Sequence, residues 1–379
     1  MKNLQTCNRC VMNNKIKDIT FNSEGNCNYC EEFLIELKNT SNNNSKELEI
    51  KKNKFISKVI KKGKNKKYDC IIGVSGGLDS SYALIKAVEN GLNPLAVHLD
   101  NGWNSELAQS NIENLVKLLK VDLFTYVIDW QEYRKLMQSF FLADVIDVEL
   151  LMDNAMMAIN YQQALKFKTN YILSGTNHST EGMKMPREMN WFKYDKRNIQ
   201  HIGKLFSGVN IKSYPSIGTI NYIWYEFVKK IHWIPFLNYF DYKKEIALKI
   251  LQEKYNFKPY PYKHYESVFT RFYQGYILPK KFNVDKRMLH FSTLIVTNQM
   301  KRETALKDLK KIPYTSLQEL ERDREFFLKK MNWEEKDLND YLNRAPKLHS
   351  EYNTERPFFY FLVKIYEFIF GKGKRRNFI

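Results

Sequence analysis

Gly73-Val74-Ser75-Gly76-Gly77-Leu78-Asp79-Ser80-Ser81 closes a short apolar run, Tyr68–Val74, and leads into Ser80–Asn90, a stretch with helical spacing that stops at Gly91. An apolar run, a glycine-rich bend and a helix in that order read as the strand–turn–helix corner of an α/β fold. The glycines permit positive φ and let the backbone come close to an anion. The free amides at the start of the helix point at that anion, and the helix dipole adds to the attraction. Ser75, Ser80 and Ser81 add hydroxyl donors. Asp79 is out of place beside phosphate unless a cation lies between them, and Mg²⁺ is the ordinary choice. The GxxxxGK[ST] pattern of a Walker loop is absent, since no lysine follows the glycines.

Outward from this corner the pattern repeats. Pro94–Leu99, Leu123–Ile128 and Tyr171–Leu173 read as strands, and Leu107–Leu119 and Val148–Phe167 as helices. Strands separated by helices of this length predict a doubly wound, mostly parallel sheet with ligands beyond the carboxyl ends of its strands. We divide the chain into a cysteine-rich knuckle (1–40), a lysine-rich linker or helix (41–67), a nucleotide-binding α/β domain (68–215) and a mostly helical, aromatic-rich region (216–379).

The chain has 379 residues, 44% of them hydrophobic and 15% aromatic, which is enough for a core and excludes wholesale disorder. Its net charge of +18 suits an anionic partner. Segment 41–67 holds ten Lys and two Glu. It reads as a solvated linker plus a basic helix with an apolar side (Leu48, Ile50, Phe55, Ile56, Val59, Ile60), a nucleic-acid stripe being the alternative. There is no apolar run long enough to span a membrane and no N-terminal h-region, so a cytoplasmic location is expected. The run Pro357–Phe370 (PFFYFLVKIYEFIF) reads as a packed helix. An interfacial membrane helix with the basic flank GKGKRR is the alternative.

Four of the five cysteines form two pairs, Cys7-x2-Cys10 and Cys27-x2-Cys30, sixteen residues apart. Two such knuckles can close a tetrahedral thiolate shell around a structural Zn²⁺, and an iron–sulfur cluster is the other occupant thiolates serve. Cys70 falls in the first strand and reads as core.

The SGGLDS loop resembles the signature of the PP-loop ATP pyrophosphatases, which cleave ATP between the α- and β-phosphates and hold the leaving pyrophosphate on this loop. Two further segments agree with that resemblance, AVHLDNG (96–102) and SGTNHSTE (174–181). It implies an ATP site of Gly73, Val74, Ser75, Gly76, Gly77, Asp79, Ser80, Ser81, Val97, His98, Gly175, Thr176 and Asn177. It also implies that Glu181 shares a Mg²⁺ ion with Asp79.

Over about residues 1–325 the chain resembles the bacterial N-acetyl sugar amidotransferases of surface-glycan pathways, the pseudaminic acid branch above all. The resemblance is carried by CNRCVMN…CNYC, HLDNGW, GTNHSTEG, KHYES (263–267), TRF (270–272), LPKKF (278–282), DKR (285–287) and QMxRExAL (299–306). It implies adenylation of an N-acetyl oxygen followed by displacement of AMP by ammonia, leaving an acetamidino group. Lys263, Arg271, Lys281 and Arg287 are candidates to bind phosphates or a sugar carboxylate, and His264 and Glu266 to move protons. Trp103, Trp191 and Tyr194 read as core. No cysteine stands in a GxCxG context and residue 2 is Lys, so no built-in glutaminase is visible. The resemblance implies a separate glutaminase and a cyclase-like subunit. The competing reading is a PP-loop tRNA-modifying enzyme. DNA binding is not expected.

Overall fold

Five parallel strands carry the fold in the order β3-β2-β1-β4-β5. They are β1 (Cys70–Gly73), β2 (Pro94–Asp100), β3 (Leu123–Val127), β4 (Tyr171–Ser174) and β5 (His232–Pro235). This computed structural model describes residues 4–41, 45–208 and 211–370. From β1 the chain adds β2 and β3 on one side, then returns through helix Leu150–Lys166 to place β4 on the other side of β1. The reversal lies between β1 and β4, and the loops leaving both strands open into the crevice found at such a switch point. The register sets these strands level, Gly73 opposite Val97 and Ile72 opposite Leu173.

The four strands expected from the sequence are present. β5 is an addition. It lies past the boundary at 215, within the region read as helical. The segment His232-Trp233-Ile234-Pro235 is four half-buried residues ending in proline, a pattern tolerated at a sheet edge and too short to show a period. The expected basic helix runs Ser45–Gly63. Its apolar side grips that same edge, with Phe55 stacked 4.4 Å from Tyr239 and edge-on to Tyr171 at 5.7 Å. Most of its lysines are exposed, but Lys52 pairs with Glu49, and Ile50 and Ile60, read as part of the apolar side, are exposed because only Phe55, Ile56 and Val59 reach the core. Helix Arg356–Phe370 packs as expected through Phe359 and Val363, onto the cluster that includes Tyr161 and Ile172. Among the described residues no helix is long and apolar enough to cross a membrane.

The helical region is joined to the α/β layer by buried polar contacts. His349 is 1% exposed and lies flat on Trp191, ring centroids 4.9 Å apart. The Asn198 amide nitrogen donates to the His349 and Asn353 carbonyls, so its Oδ1 faces His349 Nδ1 at 2.8 Å and accepts. Nε2 then accepts from the Asp147 amide at 3.1 Å. The ring is thereby fixed as the neutral Nδ1–H tautomer. Burial, with Lys193 and Arg356 adding to it against Asp147, lowers its pKa to about 3. A histidine depressed in the fold contributes stability that is whole above its unfolded value and drains away as pH falls toward the folded one. We expect this residue alone to cost about 3 kcal/mol between pH 7 and pH 4. Urea unfolding should show a steep loss over that range in the wild type and a visibly shallower one in His349→Gln.

Candidate active site

The bend after β1 is shaped by close contacts. Gly76 has φ of +79°, and a Cβ there would meet the Ala108 carbonyl oxygen at 2.6 Å. Ser75 and Ser80 hold the bend from inside: Ser80 Oγ lies 3.2 Å from both the Ser75 amide and Ser75 Oγ, and Ser75 Oγ accepts from the Gly77 amide at 3.3 Å. Gly77 caps helix Leu78–Glu89 with no side chain, which leaves the first-turn amides open toward the crevice.

The loop leaving β4 presses directly on this helix start. A Cβ on Gly175 would meet the Asp79 backbone carbon at 2.5 Å and the Ser80 nitrogen at 2.7 Å, so only glycine fits. The Asn177 side chain is used up in shaping that loop: Oδ1 accepts from the Thr180 amide at 2.8 Å and Nδ2 donates to the Gly175 carbonyl. It caps the single turn His178–Glu181, which presents Glu181. Thr176 is exposed beside it. Val97 and His98 support the bend from β2. The Val97 carbonyl takes the Val74 amide at 2.8 Å, and His98 Nδ1 donates to the Val74 carbonyl at 2.9 Å while Nε2 accepts from Asn104.

Asp79 and Glu181 thus face one pocket of charge. Burial, with Glu181 adding to it, pushes the Asp79 carboxyl up to about 6. Burial opposes ionisation of Glu181 as well, but the Lys263 ammonium 2.6 Å from its Oε1 holds it below the ordinary range. Two carboxylates that raise each other's cost, with anion-binding amides alongside, suit a Mg²⁺ ion bridging to phosphate. Glu266 overhangs the bend, its Oε1 3.3 Å from where a Gly77 Cβ would stand. Burial disfavours its charge, and His264, whose Nδ1 is 3.7 Å away, outweighs that and keeps it ionised. His264 itself has φ of +67°, a left-handed backbone that costs a non-glycine residue energy and turns the KHYES segment over the loop. Lys263, His264 and Glu266 are therefore gathered with Asp79 and Glu181.

Arg271, Lys281 and Arg287 are engaged elsewhere. Arg271 makes a two-pronged pair with Asp323, both contacts 2.5 Å. The Lys281 side chain is fully buried and donates to the Tyr341 and Arg344 carbonyls and to Asp144 at 3.0 Å. Arg287 pairs with Asp285 and donates to the Asp308 carbonyl. None of these contacts involves the bend, and as placed the three cations hold the helical region together. Trp103, Trp191 and Tyr194 lie in aromatic packing.

Two groups at the site carry no signal in the sequence. The Tyr242 hydroxyl donates to Asp79 Oδ1. Lys244 faces the same carboxylate, and its burial lowers its pKa. Both follow β5, and the turn Phe236–Tyr239 brings them back over the bend.

The four knuckle thiols are fully buried, and their sulfurs all lie within 4.8 Å of one another. Cys7 and Cys30 are 3.9 Å apart, Cys10 and Cys27 3.8 Å. A tetrahedron with metal–sulfur bonds of about 2.3 Å has edges of about 3.8 Å, so the donor set fits one tetrahedral ion. An iron–sulfur cluster, which gives each thiolate its own iron, would hold the sulfurs farther apart. The thiols oppose one another's ionisation: hydrogen bonds from their neighbours lower Cys7 and Cys10 and leave Cys27 and Cys30 raised. A divalent cation relieves that conflict. The knuckle is built into the site's wall. The Arg302 guanidinium donates to the Cys7 and Cys10 carbonyls, Phe33 fills the space against Gly182, and His290 Nδ1 donates to the Thr180 carbonyl at 3.1 Å.

A family profile described as NAD synthase matches residues 49–184. The parallel sheet with its glycine bend after β1 is a PP-loop type of fold. A second profile, described as the C-terminal domain of LPS biosynthesis protein WbpG-like proteins, matches residues 266–366. The uncharacterized protein MJ1599 of Methanocaldococcus jannaschii is 35% identical over 127 residues, 33% of this chain and 44% of that one, so the match spans under half of the relative. Among solved structures, NMN synthetase from Francisella tularensis aligns over 50% of this chain and 96% of its own (14% identity, TM-score 0.30). NH3-dependent NAD synthetase from Campylobacter jejuni aligns over 71% and 99% (13% identity, TM-score 0.29).

Proposed function

We propose that the protein is an ATP-dependent amidotransferase that converts an N-acetyl group of a bacterial surface-glycan sugar into an acetamidino group. The observation that carries this reading is the convergence of Asp79, Glu181 and Lys263 on a glycine-shaped, amide-lined bend. The match of residues 266–366 to a WbpG-like domain supports the choice of a glycan substrate.

An amide carbonyl is a poor electrophile because its oxygen leaves badly. Attack of that oxygen on the α-phosphorus of ATP forms the oxygen–phosphorus bond and expels pyrophosphate into the bend, where the open amides and the Ser75 and Ser80 hydroxyls receive it; the Ser81 hydroxyl, expected to join them, is instead buried, with no hydrogen-bond partner among the described residues. Ammonia then adds to the imidate carbon, and the carbon–oxygen bond breaks as AMP departs with the oxygen. His264 and Glu266 take the proton that ammonia sheds. Asp79 and Glu181 would hold Mg²⁺, which would supply charge neutralisation at the phosphates. Lys263 adds a fixed positive charge. Zn²⁺ in the Cys7, Cys10, Cys27 and Cys30 shell is structural. Ammonia comes from a separate glutaminase, passed through a cyclase-like subunit, and the reaction belongs to the cytoplasm. The pseudaminic acid type of sugar is the first substrate to try.

The alternative is a tRNA-modifying PP-loop enzyme of thiolation or lysidine type, and the thiolating form needs a reactive thiol at the loop. Four cysteines are gathered in one shell, and Cys70 is sealed in β1 with its thiol pushed up by burial. The test is incubation with ATP, Mg²⁺, an ammonium salt and diacetamido sugars, read by mass spectrometry. The expected products are AMP, pyrophosphate and a sugar in which one oxygen is replaced by NH. ADP and orthophosphate would overturn the reading.

A further inference from the structure

Helix Arg356–Phe370 is apolar on two sides, and among the described residues only one is covered. Phe359 and Val363 point into the core. Phe358, Phe361, Ile365, Phe368 and Ile369 form a stripe along the other side, with Phe361 58% and Phe368 92% exposed. At 3.6 residues per turn these five fall within about a third of the helix circumference. The stripe continues onto the neighbouring segment Thr219–Val228. Ile220 and Phe358 line one hollow of ≈ 320 Å³, the Phe227 ring lies 6.0 Å from Tyr366, and Trp224 and Val228 are exposed beside them. Patches this large on a folded chain mark an interaction surface.

The rim of the patch is basic. Lys364 sits at the edge of the stripe and is exposed. Lys229, its Nζ 4.8 Å over the Trp224 ring, and Lys230 are exposed at the far end. Of the nearby acids, Glu226 pairs with His232 at 2.6 Å, Glu355 accepts from the Thr219 amide at 2.6 Å, and Glu367 is half-buried on the helix itself.

We propose that this face docks on an anionic phospholipid surface. The phenylalanines and isoleucines of the stripe enter the boundary between headgroups and acyl chains, Trp224 lies at headgroup level, and the lysine rim meets the lipid phosphates. A second copy of this chain fits the face less well, because a twofold contact would set one lysine rim against the other. The helix rests on the surface without crossing it, so an enzyme of this class would meet substrates beside the bilayer.

Flotation of the full chain with vesicles tests this, using equal parts phosphatidylcholine and phosphatidylglycerol against phosphatidylcholine alone. We expect binding to the mixed vesicles only, reversed by half-molar salt. The double variant Phe361→Glu with Phe368→Glu should weaken it about tenfold or more, and so should replacing Lys229, Lys230 and Lys364 by Gln. All the residues changed lie outside the packed core, and an unchanged unfolding midpoint verifies that the variants fold. Equal or no binding to the two vesicle types overturns the proposal. So does binding that survives both variants, or a dimer in sedimentation that Phe361→Glu with Phe368→Glu dissolves while vesicles are ignored.

Discussion

Replacing Asp79 by Asn should lower pyrophosphate release by about 10³-fold, the scale expected when a preorganised charge partner of a transferring phosphoryl group is removed. The same substitution should leave the ligand-free protein at least as stable as the wild type. In the fold the carboxyl is pushed up to about 6 by burial and by Glu181, so at neutral pH its charge works against folding. A group whose pKa is raised in this way opposes the fold above that value and ceases to do so as pH falls below it. Asparagine keeps the shape and the contact with Tyr242 and drops the charge. Activity lost with stability kept or gained is the mark of a residue retained for chemistry. Tyr242→Phe makes the useful contrast. It leaves the charge and removes the donor that orients it, so turnover should fall by about tenfold, with more Mg²⁺ required for half-maximal rate. Thermal unfolding and a pyrophosphate-release assay over a Mg²⁺ series check both variants. Unchanged turnover in Asp79→Asn would remove the carboxylate pair from the reaction.

What could be read in advance follows from how local each feature is. The bend at Gly73–Ser81 was legible because its demands are local: a Cβ at Gly76 collides with Ala108, and the helix behind it has its own period. The Cys7–Cys30 shell was legible because two short spacings bring all four ligands together. β5 was not, because its four residues owe their strand to pairing with Tyr171–Ser174 rather than to any alternation of their own. Tyr242 and Lys244 reach Asp79 from far along the chain, in a DYKK segment with nothing to single it out. Arg271, Lys281 and Arg287 show the opposite difficulty. Their block could be singled out, but whether a cation is open to a ligand depends on partners such as Asp323 and Asp144, which sequence spacing does not disclose.

Stripping the ion from the cysteine shell should do more than unravel forty residues. Those residues have little core of their own, so the metal provides most of what keeps them folded. For structural zinc sites the binding free energy is on the order of 10 kcal/mol. The damage then has a defined route. Phe33 packs against Gly182, Arg302 bonds the carbonyls of Cys7 and Cys10, and the helix Arg287–Val296 carries Ser292 to the Val11 amide and His290 to the Thr180 carbonyl. Phe33 and His290 bear directly on the short turn that presents Glu181, and Arg302 and Ser292 tie the knuckle to the helices beside it. We therefore expect Cys27→Ser, or the wild type treated with a strong chelator, to become sensitive to protease within the first forty residues. It should also unfold at least about 10 °C lower and need more Mg²⁺ for activity, an effect a detached knuckle would not produce. Metal analysis should find one zinc per chain, and restoring zinc to the chelated wild type should recover all three properties together. A chain that carries no metal and unfolds at the same temperature with or without chelator would show that the four thiols hold the knuckle by packing alone. In that case the path from knuckle to Glu181 would have no ion at its source.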